Sequence, residues 1–494
     1  MITSIQLIAQ GKRDYIWHLG GTNSTSADST YWRYNIDFNQ IPKEIYITHK
    51  DFRIHQNNAS ICDTAGNLLM YTAGCWVSDR NFQRMPNGTI NQGEGHDLSC
   101  SNGDYRISFG TLILNQTNQK NYIVLHKFKE FVQDSLSIIA VTKLLYSIAD
   151  MSLNNGFGDL TQKNQLAIDR YLSASDLTAV RHANGRDWWV VCPGRANNSY
   201  FTVLFTENGP LPYREQKIGT DFYFLDDGGS QSCFSPDGNL YARMTPSRGL
   251  FLLDFDRNTG VFSNFRQLIT GSETTDHTVG VAFSPDSRFV YLVYRWDLYQ
   301  ADTRSPDLSS SLVHIDHWDG YVEDGIWVAG FDAAMSGPDC KIYIRTGTSN
   351  RVMHVIHQPN QKGKNCQFEQ HGLFLPARNH ASIPNFVNYR LGHEAFCDST
   401  LVVNNWHSFQ ENYSDLLLYP NPAGLSCTME DQNQDNCIQN IQVFDLQGKK
   451  IDEFIPISQT YKHKFSTQQF KSGVYVLKVK LSNQKYHFAK LMIH

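Results

Sequence analysis

The chain has 494 residues, 18% of them charged, and a net charge of −5. That length exceeds one ordinary core and points to two or three units. The thinly spread charge leaves no basic stripe for nucleic acid or for a polybasic membrane contact. Aromatics at 13% and 34 glycines suit short strands joined by tight turns, and no apolar run reaches the roughly 18–20 residues of a membrane span.

In chain order, Ile5-Gln6-Leu7-Ile8-Ala9-Gln10-Gly11 ahead of Lys12-Arg13 reads as the tail of a truncated signal peptide over residues 1–11, or as a polar lead-in. Among ten cysteines, Cys62 and Cys75 on one hairpin, and Cys427 and Cys437 around a loop, are placed to bridge; scattered buried thiols are the alternative. There is no CxxC pair and no Cys/His spacing suited to zinc.

A strand-turn-strand phrase then recurs. It is seen in Ile61–Tyr71, Leu114–Leu125, Val180–Val191, Cys233–Tyr241, Ala282–Tyr291 and Met335–Ile344, with turns at 66, 119, 185, 238, 287 and 340. A spacing of about 50 residues between such turns is the signature of propeller blades of about four strands each. The turn chemistry is explicit. Pro236 and Pro285 preset φ, Asp237 and Asp286 accept backbone N–H groups and Gly238 supplies positive φ, while Asn184, Gly185, Pro338 and Asp339 stand in other turns of the series. Six turns plus a sheet shared by the two ends predict an all-β, seven-bladed β-propeller over 12–392. The ring would be joined between Tyr15-Ile16-Trp17 and Ile383-Pro384-Asn385-Phe386, which removes exposed edges. Six or eight blades remain open.

A linker follows over 393–413, and residues 414–494 read as a small Ig-like β-sandwich. Asp445-Leu446-Gln447-Gly448 and Ser482-Asn483-Gln484 mark turns. Tyr475, Leu477, Val479 and Leu481 alternate with Val474, Val476, Lys478 and Lys480 as a half-buried strand.

Leu417-Leu418-Tyr419-Pro420-Asn421-Pro422, the Gly448 turn, Phe470-Lys471-Ser472-Gly473-Val474-Tyr475, and Phe488-Ala489-Lys490-Leu491 together resemble the C-terminal sorting domain of Bacteroidetes type IX secretion cargo. On that resemblance Pro420, Asn421, Pro422, Gly448, Gly473, Tyr475 and Lys490 carry the sorting signal. The stretches Ala59–Thr72, His182–Trp189, Gly337–Ile344 and Ile383–Gly392 are similar to blades of large surface proteins of the same bacteria. The Phe-Ser-Pro-Asp turns are also similar to TolB-type and WD-repeat blades. The resemblance implies export through the periplasm to the cell surface or medium, the type IX translocon as partner, and no cofactor.

Chemical motifs are sparse. His314-Ile315-Asp316-His317-Trp318-Asp319 and Asp276-His277-Thr278 are the richest polar stretches, with His314 and Asp316 expected on one strand face and His317 and Asp319 on the other. Blade-surface polarity explains both as well as a site does. Asp431-Gln432-Asn433-Gln434-Asp435-Asn436 opens like a calcium loop, but Asn436 replaces the required Gly and Gln442 the bidentate Glu. Trp188, Trp189, Trp296, Trp318 and Trp327 suit sugar stacking or packing between blades. The expectation is a non-enzymatic module binding a protein or glycan. The rival is an exported hydrolase or lyase with its site at the central channel.

Overall fold

The computed structural model describes residues 11–21, 29–40, 42–48, 54–132, 139–222, 226, 228–273, 278–391, 416–431, 437–444, 450–456, 460–482 and 486–493. The chain divides into two compact units, Met1–Cys397 and Asp398–His494. The linker 393–413, the Gly448 turn, Asn483 and Gln484, Asp276-His277 and residues 432–436 of the acidic loop lie outside the described residues, as do all but the last residue of the lead-in 1–11.

Seven antiparallel sheets of three or more strands follow one another among the described residues of the first unit, with a two-stranded hairpin, Val322–Glu323 and Trp327–Val328, between the last two. They are sheet 1 (residues 16–47), sheet 2 (59–89), sheet 3 (111–172), sheet 4 (178–217), sheet 5 (231–268), sheet 6 (280–317) and sheet 7 (331–380). Strands pair in chain order within each sheet. Sheet 1 has three strands, and in sheet 4 the last position is shared by Gly209–Pro210 and Arg214–Lys217. Burial falls from the first strand to the last. Thr111–Asn115 and Gly280–Phe283 are buried throughout, whereas Asp159–Leu172 and Val261–Leu268 are largely open to solvent. A first strand buried on every side and a wetted last strand are what blades around an axis require, and the unit is a β-propeller.

All six repeat turns join the first and second strands of sheets 2 to 7, and the residues at 66, 119, 185, 238, 287 and 340 all have positive φ. The Ser-Pro-Asp turns share one hydrogen-bond circuit. Ser235 Oγ donates to Asp237 Oδ1 (2.5 Å) and accepts the Leu240 N–H (2.9 Å), and Asp237 Oδ1 accepts the Asn239 N–H (3.1 Å). Ser284, Asp286, Phe289 and Arg288 repeat it at 2.5, 2.8 and 3.1 Å. The motif therefore satisfies backbone donors that the turn would otherwise orphan.

Neighbouring sheets are fastened by side chains reaching backbone. Trp188 Nε1 donates to Asn115 O (3.0 Å), Trp189 Nε1 to Arg257 O (2.9 Å) and Tyr291 Oη to Pro359 O (2.7 Å). The ends of the ring meet through side chains, which corrects the expected strand pairing. Among the described residues Ile16–Gly20 pairs only with Arg33–Asp37, and residues 383–386 carry no strand. The ends instead touch through the Trp17 and Phe386 rings at 6.1 Å and an Arg390–Asp14 ion pair. The disulfide also differs from expectation. Cys75 bonds Cys100 across 25 residues, while Cys62, Cys427 and Cys437 are free thiols, Cys62 fully buried in the first strand of sheet 2.

The second unit is a two-sheet β-sandwich, with sheets of three and four strands among its described residues. Gly473–Leu481 lies centrally in the larger sheet, where Leu477, Val479 and Leu481 are buried with Ile441, Val443, Phe465 and Leu491. Pro420, Asn421 and Pro422 form the bend after Leu416–Tyr419, with both prolyl bonds cis. Tyr475 Oη donates to Lys471 O (2.9 Å) beside the Phe470 ring, Gly473 opens its strand, and Lys490 pairs along the backbone with Val476.

Candidate functional site: a half-open propeller axis

The segment 382–391 runs along the axis of the propeller. At one end Asn58 Nδ2 donates to Ser382 Oγ (3.1 Å). Asn385, buried, receives nothing apolar in exchange for its amide. Its backbone N–H donates to Asn58 O (2.7 Å), and its Nδ2 donates to Thr111 O and Leu177 O, both at 2.9 Å. One residue thus ties the inner edges of sheets 2, 3 and 4. Tyr389 Oη donates to Ile113 O (2.6 Å), Asn388 Nδ2 to Pro236 O (2.7 Å), and Arg390 grips both oxygens of Asp14. Burial works against the Arg390 charge, yet the Asp14 carboxylate outweighs it and leaves the guanidinium above its ordinary value.

Across the axis the inner strands of sheets 5, 6 and 7 are tied by Gln231. Its Nε2 donates to Ala334 O (2.6 Å), and its Oε1 accepts the N–H groups of Val281 (3.1 Å) and Ala334 (3.0 Å). Between Gln231 and the axial segment lies a cavity of about 630 Å³. Phe234, Val281, Phe283, Met335, Phe386 and Leu391 supply apolar wall, and Arg257, Asp237 and Asp286 stand among its polar groups. Its volume falls within the roughly 300–1,000 Å³ of small-ligand pockets.

Pro236, Asp237, Pro285, Asp286 and Pro338 all border this cavity, so the chain brings these turn residues together. Gly238 sits directly behind, where an added Cβ would meet Leu391 Cδ2 at 2.8 Å. Asn184 and Gly185 lie elsewhere, in a turn where Asn184 Oδ1 accepts the N–H groups of Arg186 and Asp187. Asp339 turns away to accept the Tyr343 hydroxyl (2.6 Å). Gln231, Asn385 and Tyr389 were not singled out from sequence. No local signal marks Gln231, which stands between Ser230 and Ser232 after two glycines, and Asn385 is one of two asparagines in its stretch.

The chemistry facing the cavity is restrained. Burial pushes the Cys233 thiol up to about 12, so at neutral pH it is protonated and a poor nucleophile. Among the described residues no group of three or more His, Cys, Asp or Glu side chains is arranged to hold a metal ion. The histidine-rich stretch lies in sheet 6, in the strand Val313–His317. An irregularity in its pairing with Asp297–Asp302 puts His314 and His317 on the same carboxylate oxygen, Asp297 Oδ1, at 2.9 Å each. Strict alternation had placed them on opposite faces; the extra residue turns one of them over. Burial would raise Asp297, but hydrogen bonds from His317 and His314 hold it below its ordinary value. Trp296 and Trp318 pack beside each other at 4.6 Å, Trp327 lies beneath the Arg378 guanidinium, and Trp188 and Trp189 are buried between sheets.

Residues 417–494 match the secretion-system C-terminal sorting domain. The chain is therefore type IX secretion cargo that engages that machinery and is exported to the cell surface or beyond it. No helix among the described residues is long and apolar enough to cross a membrane. No curated protein matches the chain. Similar solved structures include a protein from Lactobacillus plantarum (11% identity, 74% of this chain and 98% of that one, TM-score 0.42). Others are the periplasmic gluconolactonase PpgL of Pseudomonas aeruginosa (11%, 91% and 99%, 0.35) and the Cps50 (Swd1) β-propeller domain of Myceliophteria thermophila (10%, 77% and 96%, 0.30).

Proposed function

We propose that this exported propeller is a non-enzymatic binding module, and that it takes a protein or glycan partner into the open half of its axis. The observation that carries the reading is the state of the polar groups around the cavity. Asp14 is spent on Arg390, Asp237 and Asp286 each accept a serine hydroxyl and a backbone N–H, and Cys233 is held protonated. What remains is apolar wall with a few oriented polar contacts, the composition of a recognition pocket. General acid–base chemistry would need a free, tuned pair at reacting distance.

The test is binding of the full chain to protein and glycan arrays, with Ser336→Trp as control. Ser336 is exposed on the cavity wall, and an indole there would fill the space without taking a buried bond. Loss of the bound partner in that variant is the expected result. Unchanged binding, or turnover of a bound glycan or lactone, would overturn the reading.

A further inference from the structure

The axial cavity does not end at the turns. A second cavity of about 450 Å³, between sheets 5 and 6, shares Asp237, Asn239 and Ser287 with it. A third, of about 540 Å³ at the outer part of sheet 6, shares Arg304 with the second. The three share lining residues in a row from the axis over the Ser-Pro-Asp turns to the rim, a trough of three adjoining cavities. From the first strand of sheet 6 to the loop after its third is two to three strand spacings, roughly 10–14 Å, the reach of three or four extended residues.

The trough changes character along its length. Its axial end is walled by Phe234, Phe283 and Phe386. The middle carries Asp237, Asp254 and Asp256, of which Asp254 is neutralised by Arg266 at 2.6 Å, with Arg304 at its outer edge. The outer end carries Arg288, Arg304 and Lys362. Arg288 is paired with Asp302 at 2.9 Å, whereas among the described residues no carboxylate pairs with Arg304 or Lys362. A neutral glycan repeats one chemistry along its chain, and an acidic glycan repeats one charge. A surface that passes from apolar to anionic to cationic within a few residues' reach complements a polymer whose neighbouring units differ.

We infer that the trough binds an extended polypeptide segment, with an apolar side chain in the axial cavity, a basic one over Asp237 and Asp256, and an acidic one against Arg304 and Lys362. This rests on the reading of the axial cavity as a binding site.

Random dodecapeptides displayed on phage are selected on the immobilised full chain, and the synthetic consensus peptide is titrated by fluorescence anisotropy. The enriched sequences should carry the apolar, basic, acidic order in one direction or the other. Arg304→Glu with Lys362→Glu should weaken the consensus peptide about tenfold or more, as expected for reversal of two rim contacts. Asn239→Trp should abolish binding; Asn239 is exposed at the junction of the first two cavities, and its side chain makes no hydrogen bond among the described residues. Failure to enrich peptides, or a consensus indifferent to the charge reversal, overturns the inference. If an arrayed glycan still binds and is lost on Ser336→Trp, the inference fails while the binding cavity stands. If a selected peptide ignores both tryptophans, the axial cavity itself is not the site.

Discussion

The two halves of the propeller axis solve one problem in opposite ways. Along sheets 2, 3 and 4 the channel is filled by the chain itself, and Asn385 gives its amide to the carbonyls of two buried residues, Thr111 and Leu177. Along sheets 5, 6 and 7 the inner strands are tied to one another by Gln231, and a cavity of about 630 Å³ lies in front of them. The same kind of group, a carboxamide, closes the ring on both sides. Only on the second side does closure leave room for a partner. The difference separates what holds the fold from what is free to recognise.

Acid should strain the whole ring. Burial holds His18 and His126, in sheets 1 and 3, and His354, in sheet 7, at about 3 against an ordinary 6.5. The unfolded chain therefore binds more protons between those values. Stability is full above pH 6.5 and is lost as pH falls toward 3, at up to about 1.4 kcal/mol per pH unit for each imidazole. Urea unfolding measured from pH 7.5 to pH 4.5 should show a falling midpoint; a flat profile would mean the imidazoles are not buried as described.

Asn385→Ala leaves two buried carbonyls without donors and should cost about 2–5 kcal/mol. Gln231→Ala strips a similar number of groups, but these face the cavity, where water can replace the amide, and about 1–2 kcal/mol is expected. Equal losses in chemical denaturation would erase the distinction between the halves. Reduction of Cys75–Cys100, on the filled side, should remove about 3 kcal/mol, as for a loop of this size, and lower the thermal midpoint.

A further contrast separates two glycines. Gly238 and Gly185 both sit at positive φ, but an added methyl at 238 meets Arg257 Cδ at 2.7 Å and Leu391 Cδ2 at 2.8 Å, whereas at 185 nothing lies within 4 Å. Gly185→Ala should cost about 1 kcal/mol from backbone strain alone, and Gly238→Ala about 2–3 kcal/mol once overpacking is added.

What could be read from the chain was local. Proline, aspartate and glycine at fixed offsets determine a turn within four residues, so the repeat phrase and the alternating strand of the sorting domain were legible. The circuit through Ser235 and Ser284 explains why serine precedes each of those prolines. What depends on long-range packing was not. Ile383–Phe386 has the composition of a strand end, and only the assembled ring shows that Asn385 faces carbonyls 274 and 208 residues away in sequence. The Cys75–Cys100 bond joins a hairpin to a helix beyond its sheet, a partner choice that cysteine spacing does not encode. The His314/His317 convergence needed one irregular residue that alternation cannot foresee.

The half-filled axis can be probed most directly by hydrogen exchange on the full chain, resolved to the peptide covering 382–391. Its Asn385 amide should exchange as slowly as those of the inner strand Thr111–Asn115 that it touches. Exchange at the rate of an unstructured peptide would mean that the segment does not occupy the channel and that the cavity beside it has lost its wall.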